Sequence, residues 1–236
     1  MSLLGIIGAM EEEVIKLKEM MTEPELIKKS GMDFYKGTIE GKNVVVVKCG
    51  VGKVNAAMCT QTMIDVFNVD SIINTGIAGS LNADINIGDI VFACDAVEHD
   101  MDVAALGYEP GIIPDTEMSV FKSDEHLLDI AKNAVKNCGL TVGVFTGRVV
   151  SGDQFISGKE KKDWLVDNFD GYCTEMEGAA IAQAAYLNNI PFLIIRAISD
   201  KADDSAHMDY PTFEAMAIEN SVKLLTAMVG RINKQQ

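Results

Sequence analysis

Residues 191–200 read PFLIIRAISD, and this stretch decides the fold class. A proline followed by the unbroken apolar run Phe192 to Ile195 is the pattern of a strand buried on both faces of a parallel sheet. With a side-chain period of two, Phe192, Ile194, Arg196, Ile198 and Asp200 share one face for as long as the strand stays regular. A cation and a carboxylate at the tail of such a strand cost free energy unless they are paired or used. Two readings follow. Either Arg196 and Asp200 form a buried pair that only holds the fold, or they belong to a site beyond the carboxyl end of the strand, where open α/β sheets bind ligands.

Working outward, the chain alternates strand and helix. Residues 3–8 read as a short buried strand turning through Ala9-Met10 into a helix that ends near Met21. Residues 25–49 hold three strands with tight turns, the last running through CGVGKV into an apolar helix over 53–67. Residues 71–79, SIINTGIAG, form a buried strand breaking into a small-residue loop whose glycines allow a ligand close to the backbone. A strand in INIGDIVFACDAV precedes an aperiodic connection over 100–122, a length usual for functional or interface loops. Then come a helix over 122–138, a strand over 141–150, a polar helix to Asn168, a strand over 172–176, an alanine-rich helix and a closing helix over 210–232. This order predicts one α/β domain over 1–236 with a mixed central sheet.

Composition narrows the function. Thirty-five acidic against 20 basic residues give a net charge of −15, which repels nucleic acid and anionic membrane surfaces as partners. Five scattered cysteines without a CxxC point to reduced thiols and the cytoplasm. The apolar N-terminal stretch is too short for a signal peptide or a span and lacks a basic leader. His99, His126 and His207 lie far apart without ligand spacing, so no metal is expected. Gly50-Val51-Gly52 matches neither the dinucleotide fingerprint, which needs glycine at Asn55, nor the phosphate loop, which needs glycine at Val47 and Ser or Thr at Val54. It reads as a strand–turn–helix junction.

The acids are more telling. In the first helix Met10, Val14, Leu17 and Met21 mark the apolar stripe. Glu13 turns toward that stripe, whereas Glu11 and Glu12 point away, with Glu12 in reach of Lys16 at i+4. All three also suit the positive end of the helix dipole. Glu175 and Glu177 flank Met176 at a strand–helix junction, where capping alone is an adequate explanation.

Together, GIIGAMEEE, CGVGKVNAA, NTGIAG, SGDQFI, EMEGAAIA and RAISD resemble the 5′-methylthioadenosine/S-adenosylhomocysteine nucleosidases of the nucleoside phosphorylase superfamily, in register from about Leu3 to the final helix. The resemblance implies a three-layer α/β/α fold, a homodimer and cofactor-free, metal-free hydrolysis of the adenine N-glycosidic bond. The substrates would be methylthioadenosine, S-adenosylhomocysteine and 5′-deoxyadenosine. By the same resemblance Glu13 is the base toward water and Asp200 the acid toward adenine N7, oriented by Ser199. Met176 and Glu177 hold the ribose, and Phe155 and Ile156 hold the adenine. Ala78 and Gly79 line the site, Met10 and Val51 border the 5′-thio pocket, and Leu106 and Pro114 of a second subunit close it. Arg196 stands behind the water and carboxylates. Two positions depart from the expected pattern: Ile77 replaces a serine, and Leu106 replaces an aromatic of some relatives.

The chemistry suits these residue types. Cleaving a purine N-glycosidic bond leaves an oxocarbenium-like sugar and an anionic base. An acid of raised pKa protonates the base, a carboxylate on the other side activates water, and a third acid orients the sugar and opposes its charge. A purine nucleoside phosphorylase would need arginine or clustered backbone donors for phosphate, yet the chain has only Arg148, Arg196 and Arg231. A non-catalytic nucleoside-binding protein would leave Glu13 without a task.

Overall fold

The computed structural model describes residues 2–232; Met1 and residues 233–236, the ends of the expected 1–236 unit, lie outside the described residues. The strands are β1 (Leu4–Gly8), β2 (Thr22–Lys29), β3 (Met32–Ile39), β4 (Lys42–Lys48), β5 (Ser71–Ser80), β6 (Ile90–Glu98), β7 (Phe121–Lys122), β8 (Val144–Ser151), β9 (Gly171–Glu175) and β10 (Phe192–Asp200). The helices are α1 (Glu11–Glu19), α2 (Lys53–Thr62), which runs on into a π-helical turn at Met63–Phe67, α3 (Glu125–Val135), α4 (Lys159–Phe169), α5 (Gly178–Leu187) and α6 (Ala206–Ile232).

All ten strands form one mixed sheet in the order β10-β6-β8-β9-β5-β1-β4-β3-β2, with β7 on β6. β10 also pairs with β5, so β10, β6, β8, β9 and β5 close into a ring. Every residue of β10 is buried, as its apolar run predicts. Two apolar layers lie on opposite faces. One packs Ala56 and Cys59 of α2 and Ala179, Ile181, Ala182 and Ala185 of α5 on the sheet. The other packs Val14, Leu17, Leu127, Ile130, Leu224 and Leu225 of α1, α3 and α6. Helices on both faces of a mixed sheet are the three-layer arrangement expected.

Three local expectations are revised. The TGIAG segment does not break into a loop: β5 continues to Ser80, because Gly76, Ala78 and Gly79 pair with Arg196, Ile198 and Asp200 of β10. β10 is not regular to its end, since the pairing shifts between Ile198 and Asp200 and leaves Ser199 as an extra residue. The last helix starts at Ala206 rather than Tyr210 and carries Pro211 inside it. Its first turn is stabilised by Ser205, whose carbonyl accepts from Met208 and Asp209 and whose hydroxyl donates to the Asp209 carboxylate.

Candidate active site

β1 and α1 meet at Ala9-Met10, and the first helical turn carries Glu13 back against the strand end. Its Oε2 accepts from the N–H groups of Ala9 (2.7 Å) and Met10 (3.0 Å), and its Oε1 accepts from Ile77 N–H (3.2 Å). Glu13 is buried while Glu12 is exposed, as the helical wheel predicts. The Glu12–Lys16 pair does not form. Lys18 bridges to Glu11 at 2.8 Å, with its ammonium over the Tyr35 ring. Burial raises the Glu13 pKa above 4.5 and outweighs the opposing effects of Arg196 and the three N–H donors. Since the contact to residue 77 is through its backbone, Glu13 is anchored whether that side chain is isoleucine or serine.

Glycines of β5 make room for protein groups rather than for a ligand alone. A Cβ at Gly76 would stand 2.6 Å from Glu13 Oε1 and 2.7 Å from Arg196 Nη1, and one at Gly79 would stand 2.7 Å from Asp200 Oδ1.

Arg196 does not pair with Asp200. Its guanidinium turns to β9, where Nε donates to Glu175 Oε2 at 3.1 Å and Nη2 donates to both Glu175 and Asn74. Glu175 also accepts from the Ser151 hydroxyl and from the N–H groups of Glu177 (3.1 Å) and Gly178 (2.8 Å). Burial pushes the Glu175 pKa up, but Arg196 and these donors outweigh it and hold the carboxylate below 4.5. Glu175 thus caps α5 and neutralises Arg196 together. Its neighbour Glu177 accepts from Gly52 N–H at 2.8 Å. Burial, reinforced by the charge of Glu175, pushes Glu177 up to about 7.

At the end of β10 the extra residue brings Ser199 and Asp200 to the same cavity. The Ser199 hydroxyl donates to Asp200 Oδ2 at 2.9 Å, and Ala202 N–H donates to Oδ1 at 2.8 Å. Burial raises the Asp200 pKa above 3.8 despite these donors, with Asp209 and Asp203 adding to the rise.

These strand ends enclose a cavity of about 270 Å³. Glu13, Glu177, Ser199 and Asp200 line it, as do Met10, Val51, Ala78, Gly79, Phe155, Ile156 and Met176. Arg196 stands behind the wall, one side chain removed from the cavity through Glu175. Leu106 and Pro114 line no part of this cavity; Leu106, in a 3-10 turn of the long connection, is 75% exposed. Sequence reasoning missed Tyr210, which lines the cavity, stacks edge-on against Phe155 at 5.8 Å and donates to Met10 Sδ at 3.3 Å. Nothing local marks it, because Met10 and Phe155 are distant in the chain. Gln154, Thr174 and Ala9 also line the cavity and were not singled out, although Ala9 and Gln154 adjoin Met10 and Phe155.

A mixed, ring-closed sheet with carboxylates gathered at its strand ends defines the class, and the model of the phosphorylase superfamily matches residues 3–230. The 5′-methylthioadenosine/S-adenosylhomocysteine nucleosidase of Staphylococcus carnosus is 40% identical over 228 residues, 96% of this chain and 99% of that one. The crystal structure of the nucleosidase of the same name from Neisseria meningitidis, in complex with methylthio-immucillin-A, superposes with a TM-score of 0.94 at 37% identity, covering 98% of this chain and 100% of that one. That from Colwellia psychrerythraea, in complex with adenine, gives 0.93 at 37% identity over 98% and 95%. The chain belongs to the phosphorylase superfamily and, within it, to the 5′-methylthioadenosine/S-adenosylhomocysteine nucleosidase family.

The Arg196–Glu175 contact yields a stability prediction. The folded pKa of Glu175 lies below its ordinary 4.5, so its contribution is present above pH 4.5 and is lost as pH falls through the folded value. Glu175→Gln leaves a buried guanidinium without its counter-charge and is expected to cost about 3–5 kcal/mol at pH 7. Urea unfolding at pH 7 and pH 4 checks this; the gap between wild type and variant should narrow at the lower pH, and an equal or wider gap there rules out the pair as its source.

Proposed function

We propose that this chain is one nucleosidase unit that hydrolyses the N-glycosidic bond of 5′-methylthioadenosine and S-adenosylhomocysteine, releasing adenine and the 5-thio-substituted ribose. The observation that carries the reading is the convergence of Glu13, Glu177 and Asp200 on one cavity whose nearest guanidinium, Arg196, is already bound to Glu175. Phosphate would meet carboxylates there without a free arginine, which favours water as nucleophile over phosphorolysis.

In this mechanism Asp200, whose pKa burial raises and which Ser199 orients, donates to adenine N7 as the bond breaks. Glu13 takes the proton of the attacking water, leaving its three N–H donors in place. Glu177 holds the ribose hydroxyls with Met176 against the sugar. Phe155 stacks on the adenine and Ile156 meets its edge through backbone groups. Ala78 and Gly79 line the floor, and Met10 and Val51 flank the 5′-thio group. Arg196 acts through Glu175, which fixes the turn that carries Met176 and Glu177. The same site would accept 5′-deoxyadenosine, which lacks only the thio substituent.

The site would be completed by a second copy. Val54 and Leu106 are 71% and 75% exposed, apolar surface that a second copy would cover. Leu106 and Pro114 of the partner would then close the 5′ pocket. Light scattering should find a dimer at assay concentrations; full turnover by a monomer would remove both residues from the site.

Adenine release from methylthioadenosine is expected in phosphate-free buffer and should not change when phosphate is added. Asp200→Asn retains an acceptor for Ala202 but no acidic proton, so kcat should fall on the order of 10²–10⁴-fold with substrate binding kept. Release only with phosphate means a phosphorylase, and an active Asp200→Asn excludes Asp200 as the acid.

The pH profile follows from the same two groups. The base form of Glu13 is lost as pH falls through a pKa above 4.5, and the acid form of Asp200 is lost as pH rises through its own raised pKa. A bell-shaped kcat/KM with its acid limb above pH 4.5 is expected, and a flat profile from pH 4 to 9 contradicts both roles.

A further inference from the structure

Lys53, the first residue of α2, lies outside the cavity, yet it joins the segments that carry the grips on base and sugar. The opening N–H groups of a helix have no intrahelical partner and sit at the positive end of its dipole. In α2 both of the leading N–H groups hold carboxylates from other segments. Gly52 N–H donates to Glu177 Oε1 and Lys53 N–H donates to Asp153 Oδ1, each at 2.8 Å. Gly52 is required at this approach, since its φ is +97° and a Cβ there would lie 2.9 Å from Asp153 Oδ1.

The Lys53 side chain closes the circuit. Its ammonium donates to Glu98 Oε2 at 3.0 Å and to Asp100 Oδ1 at 2.7 Å, at the end of β6. The other oxygen of Asp100 accepts from Asp153 N–H at 2.9 Å. Lys53, Asp153 and Asp100 therefore form a closed ring of hydrogen bonds, with Glu98 and Glu177 attached. The side chains of Lys53, Glu98 and Asp100 are 20%, 8% and 15% exposed, so solvent screens these contacts poorly. Burial works against the Lys53 charge, but the hydrogen bonds to Asp100 and Glu98 outweigh it and hold the ammonium above its ordinary pKa. His99, between the two acids, is pushed by burial to about 4, so at neutral pH it is an uncharged ring packed against Gly152. Lys53 is the ion-pair partner of both Glu98 and Asp100, and without it the two carboxylates face each other.

We propose that Lys53 is a positioning residue for the reaction, setting the adenine-side loop at Asp153–Ile156 and the ribose-side Glu177 at a fixed separation through its ring with Asp100 and Asp153. The inference rests on the nucleosidase reading for its substrate. Neither Lys53 nor Asp153 touches the reacting atoms. Their effect is to keep two grips in register, and an error of about 1 Å in such a placement can cost on the order of 10² in rate.

The test compares wild type, Lys53→Met, Lys53→Arg, Asp153→Ala and the Lys53→Met/Asp153→Ala double variant. Melting temperature, kcat and KM with methylthioadenosine, and calorimetric adenine affinity are measured for each. Lys53→Met and Asp153→Ala should each lower kcat/KM by about 10²-fold, mainly through KM, and weaken adenine binding. The double variant should be little worse than either, because both break one ring. Lys53→Arg, whose fork can span two carboxylates, should recover most of the loss. A folded Lys53→Met with kcat/KM within threefold of wild type overturns the proposal even if its melting temperature falls. So do additive losses, or an arginine variant as impaired as the methionine one. If Lys53→Met does not fold, Asp153→Ala on the exposed loop decides by the same threefold criterion. A wild type that releases no adenine refutes the nucleosidase reading instead. Adenine affinities then decide for Lys53: weaker binding by the variants supports it, while equal binding, or none by the wild type, overturns it.

Discussion

Arg196 is 2% exposed and lies among apolar strands, and its contact with Glu175 is the constraint on which the site depends. A guanidinium in that place is tolerable only with a counter-charge and a nearly complete set of acceptors, which Glu175, Asn74 and a backbone carbonyl supply. Glu175 in turn has its oxygens filled by Arg196, Ser151 and the first N–H groups of α5. The pair therefore locks β10 to β9 and fixes where the chain leaves β9. Met176 and Glu177 follow immediately, so their aim into the cavity is set by an interaction that lies behind it.

The same contact sorts the acids. Four buried carboxylates stand within one small region, and their environments push them in different directions. Glu175 is held ionised beside Arg196, whereas burial raises Glu13, Glu177 and Asp200. The three carboxylates that the proposed mechanism uses are all pushed up, and only the one that neutralises Arg196 is pushed down. Ring closure of the sheet supplies the geometry, because β10 pairs with both β5 and β6 and brings distant strand ends around one space.

Local periodicity exposed much of this in advance. The unbroken run at 192–195 marks a buried strand whatever surrounds it, and the angular offset of Glu13 from the apolar stripe of its helix marks it as inward-facing. The six motifs identified the family and, through it, most of the residues that line the cavity. The Glu12–Lys16 pair failed because helical spacing permits a contact between two exposed side chains without choosing it; the pair that forms is Lys18 with Glu11, beside Tyr35 of β3. The small-residue loop expected within residues 71–79 failed because small residues permit a turn but do not require one when neighbouring strands satisfy the backbone.

By itself the sequence determined the alternation of strands and helices and the burial of the strand that ends in RAISD, since each depends on residues within a few positions of one another. Only the tertiary structure decided that Arg196 pairs with Glu175 rather than Asp200, that Ser199 is the extra residue turning Asp200 into the cavity, that Tyr210 meets Met10, and that Lys53 bridges to Glu98 and Asp100. Apart from the neighbours Ser199 and Asp200, those partners lie between 21 and 200 positions apart in the chain. Charge and hydrogen-bond chemistry specify what kind of partner each group needs, but only the closure of the sheet selects which one arrives within reach.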